Sequence, residues 1–408
     1  MQKNSTQTIS SLWSNTAVRQ AIIIFIILRL FLTIWSSVAI TINPPPQDAP
    51  DIVKQHLEQP FLDEGWQKYL LGPAQRFDSL RYTRIAAQGY AHVPDSVFPP
   101  LYPLGMGLIG RILGGTHASY LLAGLIISNL AFIGLLILLY RVAEEELGLP
   151  FAQRTTLYLA IFPTSFFLLT AYSESFFLLL ALAALWLGRN GRFRWAGVFG
   201  FCASLTRLTG WVLVAPLAYE FWEQHLRHNR ELLNPLRWSR TLWIDAFAVL
   251  LPGIGTFSFM VYRYFNKFPP LNQLYVEFWA QDTSIPGIDI WRAIAAIFLG
   301  QGPRAGDPAM LLDFGILILL VITTVLAFRY LAPSWGVYAL VMLLFILLPT
   351  SYIKPLYSFS RYALAFFPLF FMLSVAGQKP WLNRLILYPS ILLLLYFSLV
   401  FFMWGWVA

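Results

Sequence analysis

The sequence has little charge and almost no cysteine. Only 12% of its 408 residues are Asp, Glu, Lys or Arg, about half the share a soluble domain carries. Cys202 is the sole cysteine, which excludes an intramolecular disulfide and a cysteine-based metal centre. No Gly-x-Gly-x-x-Gly follows a strand pattern, and no Gly-x-x-x-x-Gly-Lys-Ser/Thr run occurs, so the usual nucleotide-phosphate signatures are missing. Internal repeats, heptads and low-complexity tracts are absent too.

What fills the space is apolar. Hydrophobic residues make up 58% and aromatics 17%. Runs such as AIIIFIILRLFLTIW (21–35) and LLLLYFSLVFFMWGWV (392–407) have the length and apolarity of membrane spans. The chain therefore reads as an all-α, multi-pass integral membrane protein. The net charge of +8 is then no nucleic-acid footprint but a matter of loop orientation and anionic headgroups. The first run is longer than a signal-peptide core and reads as a permanent anchor.

A topology follows. Spans are expected at 18–41, 117–140, 154–171, 175–188, 241–265, 309–331, 334–352, 359–377 and 385–407. The segment 104–114, after Pro99, Pro100 and Pro103, would make a helix of only ~16 Å against a ~30 Å core and is expected to be interfacial or re-entrant. The run 195–222 would place Arg207 near the bilayer centre, at a cost of ~3 kcal/mol or more. Its flanks, GRNGRFR and HLRHNRELLNPLRWSR, are the most arginine-dense loops, and both belong in the cytoplasm. An even number of crossings must join them. A broken helix or hairpin turning near Thr206–Gly210 is expected, giving about eleven crossings in all. In this scheme 1–17 is a cytoplasmic tail, and 43–116 and 266–308 are extracytoplasmic loops of one integral domain spanning 1–408.

By that parity Asp78, Arg81, Arg84, Glu174, Arg207, Lys354 and Arg361 share the outer side. Singly, most have an ordinary reading. Asp78 can pair with Arg81 at i,i+3 spacing. Arg81, Arg84, Lys354 and Arg361 can snorkel, and Glu174 can serve the first turn of a helix. Arg207 is the exception, since an intramembrane arginine marks a functional site by default. Together they fit one chemistry. A departing phosphate needs cations, and an attacking hydroxyl needs a carboxylate base. With no nucleotide site, a lipid must deliver any sugar.

The runs RFDSLRYTRIAAQGY, FPPLYPLGMGLIGRILG, FPTSFFLLTAYSESFFLLLALAAL, GRFRWAGVFGFCASLTRLTGWVLVAPLAYE and SFSRYALAFFPLFFML resemble, in that order, the GPI mannosyltransferase II family and its bacterial relatives. The resemblance implies a C-type glycosyltransferase fold with a long first outer loop carrying interfacial helices. It implies an inverting transfer of a monosaccharide, mannose for this family, from a dolichyl- or undecaprenyl-phosphate donor. The acceptor is a hydroxyl on a glycolipid, glycan or protein. The loop-1 aspartate, the family's base, maps onto Asp78. The family's preceding tryptophan is here Phe77, and the position three residues on is Arg81. On this reading Arg207, Lys354 and Arg361 hold the donor phosphate. Arg81, Tyr82, Tyr102, Tyr172 and Glu174 contact substrate, with Tyr275, Glu277, Trp279 and Asp282 as further acceptor candidates. Arginine charge stands in for a metal, so no metal or other cofactor is expected, nor any nucleic-acid partner. Membrane lipids surround the chain, placed in a bacterial plasma membrane with an extracytoplasmic site. Three other readings stay open: a lipid-linked glycan ligase or oligosaccharyltransferase, a transporter or flippase with an anion site at Arg207, and a binding or scaffold subunit that keeps the fold without the base.

Overall fold

A computed structural model describes residues 15–42, 59–283, 285, 287–356 and 358–407. Residues 1–14 of the expected tail and 43–58 of the expected first loop lie outside the described residues.

Regular structure is almost entirely helical. After α1 (Thr16–Ile42), the first loop is itself folded and carries α2 (Gly65–Leu70) and α3 (Asp78–Gln88). α4 (Leu101–Ile112) starts before Pro103 rather than after it, because a proline in the first turn removes an N–H that would have no helical partner. α5 (His117–Leu147) is capped by the Thr116 side chain, which accepts from the Ser119 N–H, and it ends at Gly148 with φ +97°. α6 (Leu149–Ala160) stops early. The expected span 154–171 is therefore not one helix. Pro163 cannot donate to the ladder, and the chain continues through a single tight turn, Ser165–Leu168, before α7 (Glu174–Arg189).

α8 (Phe193–Thr206) and α9 (Val214–Phe221) make the hairpin expected around Arg207. Arg207 itself is extended, at φ −145° and ψ 141°. The two arms run antiparallel: Phe193 at the start of α8 meets Phe221 at the end of α9, with ring centroids 5.6 Å apart. At the turn, Gly210 lies against the backbone of Ser204 with no room for a Cβ. Next come α10 (Arg240–Phe265), α11 (Leu271–Trp279), β1 (Asp282–Thr283), α12 (Ile288–Phe298), α13 (Pro308–Tyr330), α14 (Pro333–Ile346) and β2 (Pro349–Thr350). The two short strands pair antiparallel, Asp282 opposite Thr350. α15 (Phe359–Tyr362), α16 (Phe367–Ala376) and α17 (Pro380–Phe402) complete the order.

Among the described residues, α1, α5, α10, α13 and α17 are long and apolar enough to cross a membrane. The expected span 359–377 is bent by 85° at Phe366, and that at 334–352 is helical only to Ile346. The remaining expected crossings are made of short or broken helices, which are tolerated where the backbone lines protein rather than lipid.

The chain packs as two units. The first comprises described residues up to 87, 105–179 and 373–407; the second comprises 88–104 and 180–372. In the first, Leu62, Leu71 and Ala74 of the first loop bury against Leu121, Leu125 and Ala171, so that loop is part of the core. In the second, Leu187, Phe193, Ala196, Leu217, Phe221, Leu242 and Val249 form a common core. Gly197 rests on the Ala248 carbonyl and Gly200 on Pro252. Small residues of this kind let membrane helices approach closely.

Candidate active site

In the first unit the loop leading to Asp78 is tied down by buried amides. Gln59 donates to the Leu80 carbonyl at 2.6 Å. Gln75 accepts from the Leu62 N–H at 3.0 Å and donates to the Pro60 carbonyl at 2.7 Å. Arg76 is 2% exposed, and its guanidinium meets backbone only. Nε and Nη2 donate to the Phe402 carbonyl at 3.1 and 2.8 Å, and Nη1 to those of Gly72 and Gln75 at 2.7 and 3.0 Å. The group also stacks over the Trp404 ring, 4.4 Å from its centroid. Burial pulls the Arg76 pKa down to about 9, with the Tyr172 hydroxyl acting the other way. Three carbonyl acceptors favour the protonated form at neutral pH.

Phe77 follows in a left-handed conformation, φ +46°. For an aromatic residue this costs of order 1–3 kcal/mol and persists only where surroundings enforce it. The enforcement is visible: its ring is held by Phe401, Trp404 and Trp406, at centroid distances of 5.7, 6.2 and 5.1 Å. The turn delivers Asp78 to the first position of α3, where backbone N–H groups and the macrodipole favour a carboxylate.

Asp78, Tyr82, Tyr172 and Glu174, all proposed from sequence, come together here. The Tyr172 hydroxyl accepts from the Asp78 N–H and donates to the Arg76 carbonyl, each at 3.3 Å. One turn along α3, the Tyr82 hydroxyl and Ser173 Oγ are 2.8 Å apart. Glu174, the next residue, opens α7 and is 4% exposed. Two carboxylates thus each begin a helix, and Tyr172 and Ser173 join those helices. Arg81 is half-buried, whereas Arg84 is buried. Arg76 was missed by sequence reasoning, which weighed Arg81 and Arg84 instead.

The second unit holds the expected phosphate ligands. Arg207 is half-buried at the hairpin turn. Trp211, just past it, packs on Phe345 at 6.0 Å, near the end of α14. The loop that leaves this end carries Lys354 and Arg361, both half-buried. Asp289, 5% exposed, accepts from the Ser351 N–H at 2.9 Å and pairs with Arg292 at 2.8 Å. Ser351 Oγ accepts from the Lys354 N–H at 3.1 Å. Arg304 donates to the Pro355 carbonyl at 3.3 Å and bridges Asp307 and Asp313 at 2.7 and 3.1 Å. Leu356 and Ser358 are left-handed, φ +55° and +61°, so this loop is strained as Phe77 is. Burial, then the Arg304 charge, lowers the Lys354 pKa below its ordinary value.

Tyr102 is fully buried in the second unit. In the same unit, the Tyr90 hydroxyl donates to the Phe98 carbonyl at 2.6 Å, and Phe98 packs on Trp279 at 6.2 Å. Trp279 packs on Tyr275 at 5.7 Å. Arg263 donates to both the carbonyl and the hydroxyl of Ser96, the latter at 2.8 Å. The acceptor candidates of 266–308 therefore include Tyr275 and Trp279 beside the Phe-Pro-Pro segment. The described residues contain no cluster of three or more His, Cys, Asp or Glu side chains placed to hold a metal ion.

Comparison with solved structures finds ArnT from Cupriavidus metallidurans bound to undecaprenyl phosphate, 14% identical, with a TM-score of 0.45 over 82% of this chain and 72% of that one. The Archaeoglobus fulgidus oligosaccharyltransferase in its apo form is 13% identical, with a TM-score of 0.43 over 93% of this chain and 56% of that one. No curated protein matches. The sequence family described as mannosyltransferase (PIG-V) matches residues 16–270, more than half of the chain, including Asp78, Glu174 and Arg207. This helical, membrane-embedded glycosyltransferase belongs to the mannosyltransferase (PIG-V) family.

Proposed function

We propose that the protein moves one mannose from a polyprenyl-phosphate donor to a hydroxyl of a glycolipid, glycan or protein, on the extracytoplasmic face of a bacterial plasma membrane. The observation that carries this reading is the Asp78 cluster: a carboxylate at a helix start within the family-matched region, braced by Tyr172 and a strained turn. Asp78 takes the acceptor proton as its oxygen attacks the anomeric carbon. The C–O bond to phosphate breaks on the opposite face, and configuration inverts. A phosphodiester becomes a phosphomonoester, so one negative charge is added to the leaving group. Arg207, Lys354 and Arg361 are assigned to neutralise it, without a metal. Arg81, Tyr82, Tyr102, Tyr172 and Glu174 orient sugar and acceptor. The loops 43–116 and 266–308 face the same outer compartment within one integral domain.

The test is Asp78→Asn in purified protein given radiolabelled polyprenyl-phosphate mannose. Transfer should fall by roughly 10²–10⁴, with donor binding kept. Undiminished turnover would remove Asp78 as base. In the same assay Arg207→Ala should weaken donor binding itself.

A further inference from the structure

The first helix carries a charge that the transfer chemistry does not use. Arg29 lies in the middle of α1, and between Arg19 and Ile42 it is the only charged residue. Among the described residues its hydrogen bond is to the Leu169 carbonyl, at 3.0 Å. A guanidinium has five N–H groups, so further donors remain. Arg29 also lines a cleft within the first unit, open on one side. Thr33, Ser36, Tyr69 and Thr170 add hydroxyls to its wall, and none of its described lining residues is acidic. An arginine at this depth is costly unless something compensates it.

Two further observations identify the occupant. Leu30 and Ile34, next to Arg29 and Thr33 on α1, are 58% and 64% exposed, as expected of a helix face that meets acyl chains. The cleft wall also includes Pro73, Ala74 and Phe402, the segment and helix end that Arg76 ties together. Leu169 and Thr170, also in the wall, lead along the chain directly to Tyr172 and Glu174.

We infer that this cleft binds the phosphate headgroup of an anionic phospholipid through Arg29, with its acyl chains along α1, and that the bound lipid braces the turn presenting Asp78. The site is separate from Arg207, Lys354 and Arg361. The bracing of transfer rests on the function proposed above; the binding does not.

The experiment uses the full chain in nanodiscs of phosphatidylcholine with phosphatidylglycerol, followed by native mass spectrometry of retained lipid. The native chain should hold one phosphatidylglycerol. Arg29→Ala should lower its occupancy about tenfold or more, the loss expected for charge-assisted hydrogen bonds. Thr170→Leu, which fills the cleft, should do the same while keeping Arg29, and Arg207→Ala should leave occupancy unchanged. Binding is read without turnover, so failure of the proposed transfer would not mask it. Native occupancy in both Arg29→Ala and Thr170→Leu would overturn the site. Added polyprenyl phosphate that displaces phosphatidylglycerol in an Arg29-dependent way would also overturn it, by assigning the cleft to the carrier. Should Arg29→Ala not fold, Thr170→Leu and Arg29→Lys decide the question by the same readout.

Discussion

Arg76→Ala should detach the turn that presents Asp78. The side chain makes four hydrogen bonds to three buried backbone carbonyls, those of Phe402, Gly72 and Gln75. Stranding a buried acceptor costs about 1–3 kcal/mol. The Gly72 carbonyl keeps the Gln75 N–H as a donor, and water entering the vacated space favours the low end, so the two stranded acceptors amount to about 2 kcal/mol. The stack on Trp404 adds about 1 kcal/mol. A total near 3 kcal/mol is roughly a hundredfold in an opening equilibrium, at 1.4 kcal/mol per tenfold. Hydrogen exchange of the amides from 72 to 80 reads that opening directly. Arg76→Lys keeps the charge but has a single ammonium to serve three carbonyls, and should recover only part of the protection. On the proposed role of Asp78 as base, Arg76 positions it, so turnover should fall about a hundredfold while donor affinity stays near native. Native exchange rates together with native turnover in Arg76→Ala would refute the reasoning.

Tyr172→Phe removes the hydroxyl between the Asp78 N–H and the Arg76 carbonyl; both bonds are long, so a loss of about 1 kcal/mol, or roughly fivefold in kcat, is expected from steady-state transfer assays. If Lys354 holds the donor phosphate as proposed, donor binding should weaken with rising pH below the ordinary lysine value of 10.5, since its ammonium loses its proton early; Lys354→Arg should move the loss to higher pH in a binding titration. The same shift acts on stability in the opposite sense: between the lowered value and 10.5 the unfolded chain binds more protons, so this residue's contribution to stability rises with pH. Gly210→Ala places a methyl group on the Ser204 backbone, which cannot swing away as a side chain could, and should cost about 3 kcal/mol or more; a thermal melt in detergent unchanged from native would contradict that packing.

Some of this was legible from sequence because polar residues in apolar surroundings announce themselves. Arg207 between two apolar runs forces a break, and the break is there, with the arms antiparallel. Asp78 and Glu174 each sit where an acid suits a helix start. The role of Arg76 was not legible, since its partners are carbonyls and no side-chain pattern encodes them. One of those partners is 326 residues away. Nor does Phe77 betray its conformation: a left-handed residue is usually read from glycine or asparagine, and here the ring contacts of 401–406 impose it. The hydropathy of 154–171 suggested one span, but Pro163 outweighed the apolar count.

The hold of Phe402, Trp404 and Trp406 on the Arg76–Phe77 turn has a consequence for biogenesis. During synthesis, residues 76–78 leave the ribosome more than three hundred residues ahead of the carbonyl and rings that shape them. The Asp78 turn therefore cannot take its final form until α17 has been inserted and has docked. A nascent chain stalled anywhere before that helix would lack this turn, and on the function proposed above it would lack its base.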